Sequence, residues 1–258
     1  MSSNGKGLQG KKGVVLGIAN EHSIAYGCAK AFRALGAELA ISYLNEKARP
    51  YVEPLASELE ASIFLPLDVQ DPKQMSDFFK AVGETWGTLD FALHSIAYAP
   101  KADLHGRVTD CSREGFLLAM DVSCHSFIRM VRLAEPLMKN GGTFFTMSYY
   151  GAEKVVKNYN MMGPVKAALE ATVRSMAAEL GPAGIRVHAI SPGPLKTRAA
   201  SGIAGFDDLM EKAAAEAPTR SLVSIEDVGF ATAGLATDNA RLITGGTIHV
   251  DGGLHIIG

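Results

Sequence analysis

The chain has 258 residues, of which 47% are hydrophobic and 20% charged, which excludes disorder and collagen-like repeats. At this length a folded domain buries about three quarters of the surface its unfolded chain exposes, so neither disulfides nor a structural metal is required. Lys+Arg number 25 against 27 Asp+Glu, a net charge of -2, which leaves no overall field to attract nucleic acid or an anionic membrane.

Strand-like and helix-like segments alternate from one end to the other. An apolar run at 13–20 ends in turn residues, and helical spacing follows at 23–35 until Gly36 stops it. Residues 37–43 read as a second strand, 46–60 as a charged helix and 62–69 as a third strand. Pro72–Trp86 reads as a helix with proline in its first turn, where a missing N–H costs little. A fourth strand at 89–96 leads to one long helical region at 112–139. A strand at 142–148, a helix at 160–180 and a strand at 186–191 follow. A looser segment at 194–222, a helix at 225–237 and a strand at 247–251 complete the chain. These strands are apolar on both faces, as in a parallel sheet covered by helices on both sides. The expected fold is α/β, a Rossmann-type doubly wound parallel sheet of about seven strands, in a single dinucleotide-binding domain over 1–258. The looser segment contains Ala199, Ala200, Ser201, Gly202, Ala204 and Gly205 and follows a strand end. It is read as a substrate-binding lid near 194–222, with an ordinary surface loop as the alternative.

The basic amino-terminal stretch precedes an apolar run too short for a secretory signal, and no segment approaches the roughly 18 apolar residues of a membrane helix. The expectation is a cytoplasmic protein. Cys28, Cys111 and Cys124 are odd in number, widely spaced and without a C-x-x-C pair, so they read as reduced thiols. No nearby motif would lower a pKa and make one of them catalytic. His94, His105, His125, His188, His249 and His255 do not group at metal spacing, so no metal is expected. Ser148 lacks the G-x-S-x-G elbow of a hydrolase. The aromatic residues do not interleave with basic ones as in single-strand nucleic-acid binders.

The first strand runs into Gly17, and the next helix begins near Ser23. A glycine there lets the chain turn tightly and lets a diphosphate approach the backbone, while the free N–H groups of the helix face an anion. The usual G-x-G-x-x-G is absent, so this turn alone is a weak motif. Asp68-Val69 closes the third strand and Ser95-Ile96-Ala97 the fourth, on the same edge. Asp68 is placed to accept from an adenine amino group, and the small Ala97 lets a ribose come close. The second strand ends in Leu44-Asn45-Glu46-Lys47 with no Arg directly at the end, which favours NADH. Lys47 and Arg49 leave NADPH open.

Tyr159 and Lys166 are seven residues apart. On one helix they would share a face about 10 Å apart along the axis. Pro164 fits a first turn, which sets the helix start near Asn160, Tyr159 at its mouth and Lys166 deeper, under a cofactor. Lys166 is expected to bond ribose hydroxyls. Tyr159 is expected to donate to a substrate carbonyl oxygen as it gains charge. At that separation Lys166 should lower the phenol pKa only modestly. The alternative is a core tyrosine and a solvated lysine.

The turn from Gly17 to Ala25 with Ser-Ile-Ala, Asp68-Val69, His94-Ser95-Ile96, Ser148-Tyr149 and Tyr159-x6-Lys166 occur in that order. Ile190-Ser191-Pro192-Gly193-Pro194 and His249-Val250-Asp251-Gly252-Gly253 follow. In these motifs the chain resembles the short-chain dehydrogenase/reductase superfamily and, within it, the bacterial enoyl-acyl-carrier-protein reductases, over about residues 8–254. Ordinary members carry Tyr-x3-Lys, and the longer gap marks the enoyl reductase branch. The resemblance implies hydride transfer from NADH to the β carbon of trans-2-enoyl thioesters in fatty acid synthesis. It implies a homotetramer and an acyl-carrier protein as partner. It implies catalytic roles for Tyr149, Tyr159 and Lys166. Cofactor contacts are implied at Gly17, Ser23, Ile24, Asp68, Val69, Ser95, Ile96, Lys166, Leu195 and Thr197. A substrate pocket is implied at Ala99, Tyr149, Tyr159, Met162, Ile203 and Phe206. Two positions depart from the pattern. Leu44 stands where many NADH-using members carry Gln. Asp207-Asp208 follow Phe206 where basic residues help dock the carrier, so docking would use Lys196, Arg198 or Lys212. The alternatives are a carbonyl reductase of the same superfamily and a nucleotide-sensing protein without turnover.

Overall fold

The computed structural model describes residues 7–197 and 205–257. Its strands are β1 (Lys12–Leu16), β2 (Glu38–Tyr43), β3 (Ile63–Pro66), β4 (Phe91–His94), β5 (Gly142–Met147), β6 (Ile185–Pro192) and β7 (Thr247–Val250). They form one sheet in the order β3-β2-β1-β4-β5-β6-β7, every pair parallel. Parallel neighbours need crossovers, and helices supply them. Helices α1 (Ile24–Ala34), α2 (Arg49–Glu58) and α3 (Pro72–Trp86) serve the first half of the sheet.

Alternate residues of each strand enter opposite cores, which is why the strands carry no polar face. Val14 and Leu16 pack with Phe78, Phe127 and Leu169 on one side. Val15 packs with Phe32, Val52 and Val228 on the other. After β3 the chain returns to lay β4 beside β1. Loops after β1 and β4 therefore leave in opposite directions and open a crevice at their carboxyl ends.

Three expected elements differ. The helical region at 112–139 is broken into α5 (Arg113–Met120), one π turn (Asp121–His125) and α6 (Ser126–Ala134), after a short α4 (Lys101–Leu104). The wider turn lets side chains reach neighbouring strand ends. Ser123 Oγ accepts from Tyr98 N at 2.9 Å and donates to Tyr98 O at 3.0 Å. Ser126 Oγ donates to Val122 O at 2.6 Å and meets His94 Nε2 at 2.7 Å. Helix α7 (Met162–Leu180) starts later than 160, because Asn158 and Asn160 have φ of 65° and 44°. Asparagine tolerates that left-handed geometry and a helix does not. Part of the looser segment is the regular helix α8 (Phe206–Glu216). Helix α9 (Ile225–Ala236) follows, opened by a capping box between Ser224 and Asp227.

Candidate active site

The crevice is made by two strand ends in near contact. Gly17 has φ 106°, and a Cβ there would stand 2.1 Å from Ser95 O. Ser95 N meanwhile donates to Leu16 O at 3.0 Å, so the two ends cannot part cheaply. Only glycine fits. Ser23 occupies the N-cap position of α1 without capping it. Its Oγ instead accepts from Ala19 N and Asn20 N at 3.0 and 3.1 Å and folds the turn back on itself. A helix start with no side-chain cap suits a bound anion. Ile24 anchors the start of α1 in the core.

The other expected cofactor residues line the same edge in different ways. Asp68 Oδ1 accepts from Gln70 N at 2.9 Å. Val69 is 3% exposed, and its carbonyl accepts from Arg129 at 2.8 Å, so Val69 supports the strand end from within the core. Ser95 and Ile96 are half-buried beside Gly17. Leu195 and Thr197 are half-buried beyond β6, with Leu195 against the α1 core. At the end of β2, Tyr43 Oη donates to Glu46 at 3.0 Å. Arg49 pairs with Glu53 at 3.0 Å and Glu46 at 3.6 Å, over the Tyr43 ring. Two carboxylates thus engage the nearest arginine.

The chemical end forms where β5 runs into Ser148 and Tyr149. The Tyr159 ring lies 4.9 Å from that of Tyr149, at 65°, an edge-to-face pair. Gly151 makes room for it, since a Cβ there would stand 2.5 Å from the Tyr159 ring. Ala99, Tyr149, Tyr159 and Met162 join one apolar cluster. Leu209 also joins it, whereas Phe206, one turn earlier on α8, is not part of it. Ile203 lies outside the described residues.

Lys166 is 5% exposed, and its Nζ donates to Met147 O at 2.7 Å. An ammonium has three donors, so donors beyond this bond can serve a ligand. Burial pulls its pKa down to about 8, against the opposing influence of Cys124 and Glu170. Tyr159 is 8% exposed, and burial pushes its phenol above the ordinary value, with Tyr149 and Glu170 adding to the effect. The expectation that Lys166 lowers this pKa is therefore corrected. Loss of water outweighs the lysine, and the charged neighbour acting on the phenol is an acid. Tyr159 is also not on α7, so the helical separation of about 10 Å does not apply. Burial raises Tyr149 too, and its Oη is buried without a partner among the described residues. Both phenols hold their protons at neutral pH, so each keeps an O–H that a ligand could accept from.

Several residues of the site escaped the sequence reading. Glu170 meets Ser148 Oγ at 2.5 Å, and its signal was the Lys-x3-Glu spacing that puts it one turn from Lys166. His94, named in the sequence only within a motif and among histidines without metal spacing, is buried and pushed down to about 3, which keeps it a neutral link between β4 and the start of α6. Gly151 had no signal, because the ring it admits comes from a loop. Among the described residues no group of three or more His, Cys, Asp or Glu could hold a metal ion, and no helix is long and apolar enough to cross a membrane.

Residues 17–255 match the family model described as Enoyl-(Acyl carrier protein) reductase. An Aquifex aeolicus protein named an NADH enoyl-acyl-carrier-protein reductase, FabI, is 47% identical over 252 residues, covering 97% of this chain and 93% of the relative. The crystal structure of an Anaplasma phagocytophilum enoyl-acyl-carrier-protein reductase in complex with NAD superposes with a TM-score of 0.93 at 45% identity, over 99% of this chain and 95% of that one. A Bacillus cereus enoyl-acyl-carrier-protein reductase with NADP+ and indole naphthyridinone superposes with a TM-score of 0.95 at 43% identity, over 97% and 98% of the two chains.

Proposed function

The chain belongs to the enoyl-acyl-carrier-protein reductase family, and from that premise we propose that it reduces the trans-2 double bond of enoyl thioesters with NADH in fatty acid synthesis. The missing Cβ at Gly17, the uncapped start of α1 and the buried Lys166 ammonium fit a dinucleotide laid across the crevice. When bound, the nicotinamide supplies the hydride. Gly17, Ser23, Ile24, Asp68, Val69, Ser95, Ile96, Leu195 and Thr197 would form its cradle, and Lys166 would hold the ribose hydroxyls.

Hydride addition at the β carbon moves charge onto the thioester oxygen. Tyr159 donates a hydrogen bond to that oxygen and steadies the enolate, and a proton from solvent then completes the reduction at the α carbon. One such donor is worth about 10²–10³ in rate. The raised phenol pKa keeps the proton on Tyr159, so it serves as a hydrogen-bond donor to the charged oxygen. Tyr149 offers a second buried hydroxyl at the acyl end, while Ala99 and Met162 keep water from the chain. The observation that carries the reading is the edge-to-face pair of half-buried Tyr149 and buried Tyr159, with a buried lysine seven residues beyond Tyr159. A carbonyl reductase of the superfamily carries the shorter gap.

NADH is the preferred coenzyme, because no Arg stands directly at the end of β2 and the Arg49 beyond it faces two carboxylates that compete with a 2′-phosphate. The acyl-carrier protein is the partner. Lys196 pairs with Asp207 at 3.1 Å and Lys212 with Glu216 at 3.6 Å. Exposed pairs of this kind are worth under about 1 kcal/mol, so both lysines can exchange partners for an acidic carrier. A cytoplasmic homotetramer of a single reductase domain completes the proposal.

The test is loss of nicotinamide absorbance when purified protein meets NADH and a crotonyl or longer enoyl thioester. No loss, with folded protein that binds NADH, would favour the sensor. Faster turnover of simple ketones would favour the carbonyl reductase.

A further inference from the structure

Glu170 has no part in the hydride step, yet it is 5% exposed on α7. Burying a carboxylate is costly unless charge and hydrogen bonds compensate it. Both compensations are close by. Its Oε1 accepts from Ser148 Oγ at 2.5 Å. Lys166 stands four residues earlier, one turn away on the same helix face. Lys166 Nζ in turn donates to Met147 O at 2.7 Å. Met147 and Ser148 are consecutive at the end of β5, and Tyr149 follows them. Two opposite charges, one turn apart on a helix, thus grip adjacent residues of one strand end.

We propose that Glu170 is a positioning residue: its buried carboxylate is the counter-charge that keeps Lys166 an ammonium, and through Ser148 it fixes the strand end that presents Tyr149. The groups facing Lys166 from the neighbouring elements are Cys124 on the π turn and His94 on β4, besides Glu170 on its own helix. Burial pushes the Cys124 thiol up and the His94 imidazole down to about 3, so both are neutral near pH 7. A neutral thiol and a neutral ring cannot balance an ammonium, and that task falls to Glu170. The balance matters because burial has already brought Lys166 down to about 8, close to working pH.

The inference rests on the reading that Lys166 holds the NADH ribose. The experiment is an NADH fluorescence titration of the full chain from about pH 6 to about pH 9.5. Wild-type affinity is expected to fall as the pH rises through about 8, where the ammonium loses its proton. Glu170→Gln keeps the shape and an acceptor for Ser148 but not the charge. It should move that fall lower by about half a unit or more, about a threefold loss of affinity on the alkaline side. Glu170→Asp keeps the charge and should stay closer to the wild-type midpoint. Uniformly weaker binding by Glu170→Gln with an unmoved midpoint would overturn the proposal, as would failure of both variants to fold. A flat wild-type profile would overturn this inference alone. Wild-type protein that binds no NADH at any pH would overturn the functional reading beneath it.

Discussion

Gly17→Ala tests whether the crevice depends on two strand ends in near contact. The new Cβ would lie 2.1 Å from Ser95 O and 2.7 Å from Ser95 C, while φ stays at 106°. A left-handed or wider φ costs an ordinary residue about 1–3 kcal/mol. Overpacking against backbone adds about 1–3 kcal/mol. Relief means drawing Ser95 away from Leu16 O, which gives up a 3.0 Å hydrogen bond worth about 1 kcal/mol. The sum is about 3–7 kcal/mol. At about 2–4 °C per kcal/mol for a chain of this size, Tm should fall by at least about 6 °C. Gly10→Ala is the control, because Gly10 has φ 75° but no atom within 4 Å of its missing Cβ. It should cost the backbone strain alone, about 1–2 kcal/mol. Thermal unfolding by circular dichroism measures both variants, and NADH fluorescence reads the crevice. Equal Tm values for the two variants, with normal NADH binding by Gly17→Ala, would refute the reasoning.

Tyr159→Phe should lower kcat by about 10²–10³ and leave NADH affinity nearly intact. Lys166→Ala should weaken NADH binding more than Tyr159→Phe does, and equal losses would contradict the division of roles. Glu46→Ala frees Arg49 from one of its carboxylates and should raise the ratio of NADPH to NADH turnover, which paired steady-state assays would detect. Acid should destabilise the fold through two buried histidines. His94 and His188 are held down to about 3 and about 4 from 6.5, so the unfolded chain binds the extra protons between those values. Stability from this source is complete above 6.5 and is lost as the pH falls, by up to about 1.4 kcal/mol per unit for each histidine. A urea midpoint that stays flat from about pH 7 to about pH 5 would contradict it.

The order of elements and the parallel sheet were legible in the chain. Both-face apolar strands alternating with amphipathic helices admit few other solutions. Gly17 stood out because it sits where a strand runs into a helix, and Tyr159 and Lys166 because of their spacing about a helix start. Elements set by local pattern were located to within a few residues. The break at Asp121–His125 was not, because apolar spacing continues through it, and the contacts of Ser123 and Ser126 with Tyr98 and His94 that accompany it are made across the fold.

What tertiary structure alone decided was the state of the charged and polar groups. Whether Tyr159 is a strong or a weak acid depends on how completely its phenol leaves water, and the apolar cluster around it comes from distant stretches of chain. Glu170 carries no motif of its own, and it gains a place in the site only where α7 is laid on β5 and its carboxylate meets Ser148. Periodicity tells which face of an element is apolar, since that is a property of neighbours in sequence. Desolvation and ion pairing are properties of neighbours in space, and they exist only once the sheet and its helices have closed.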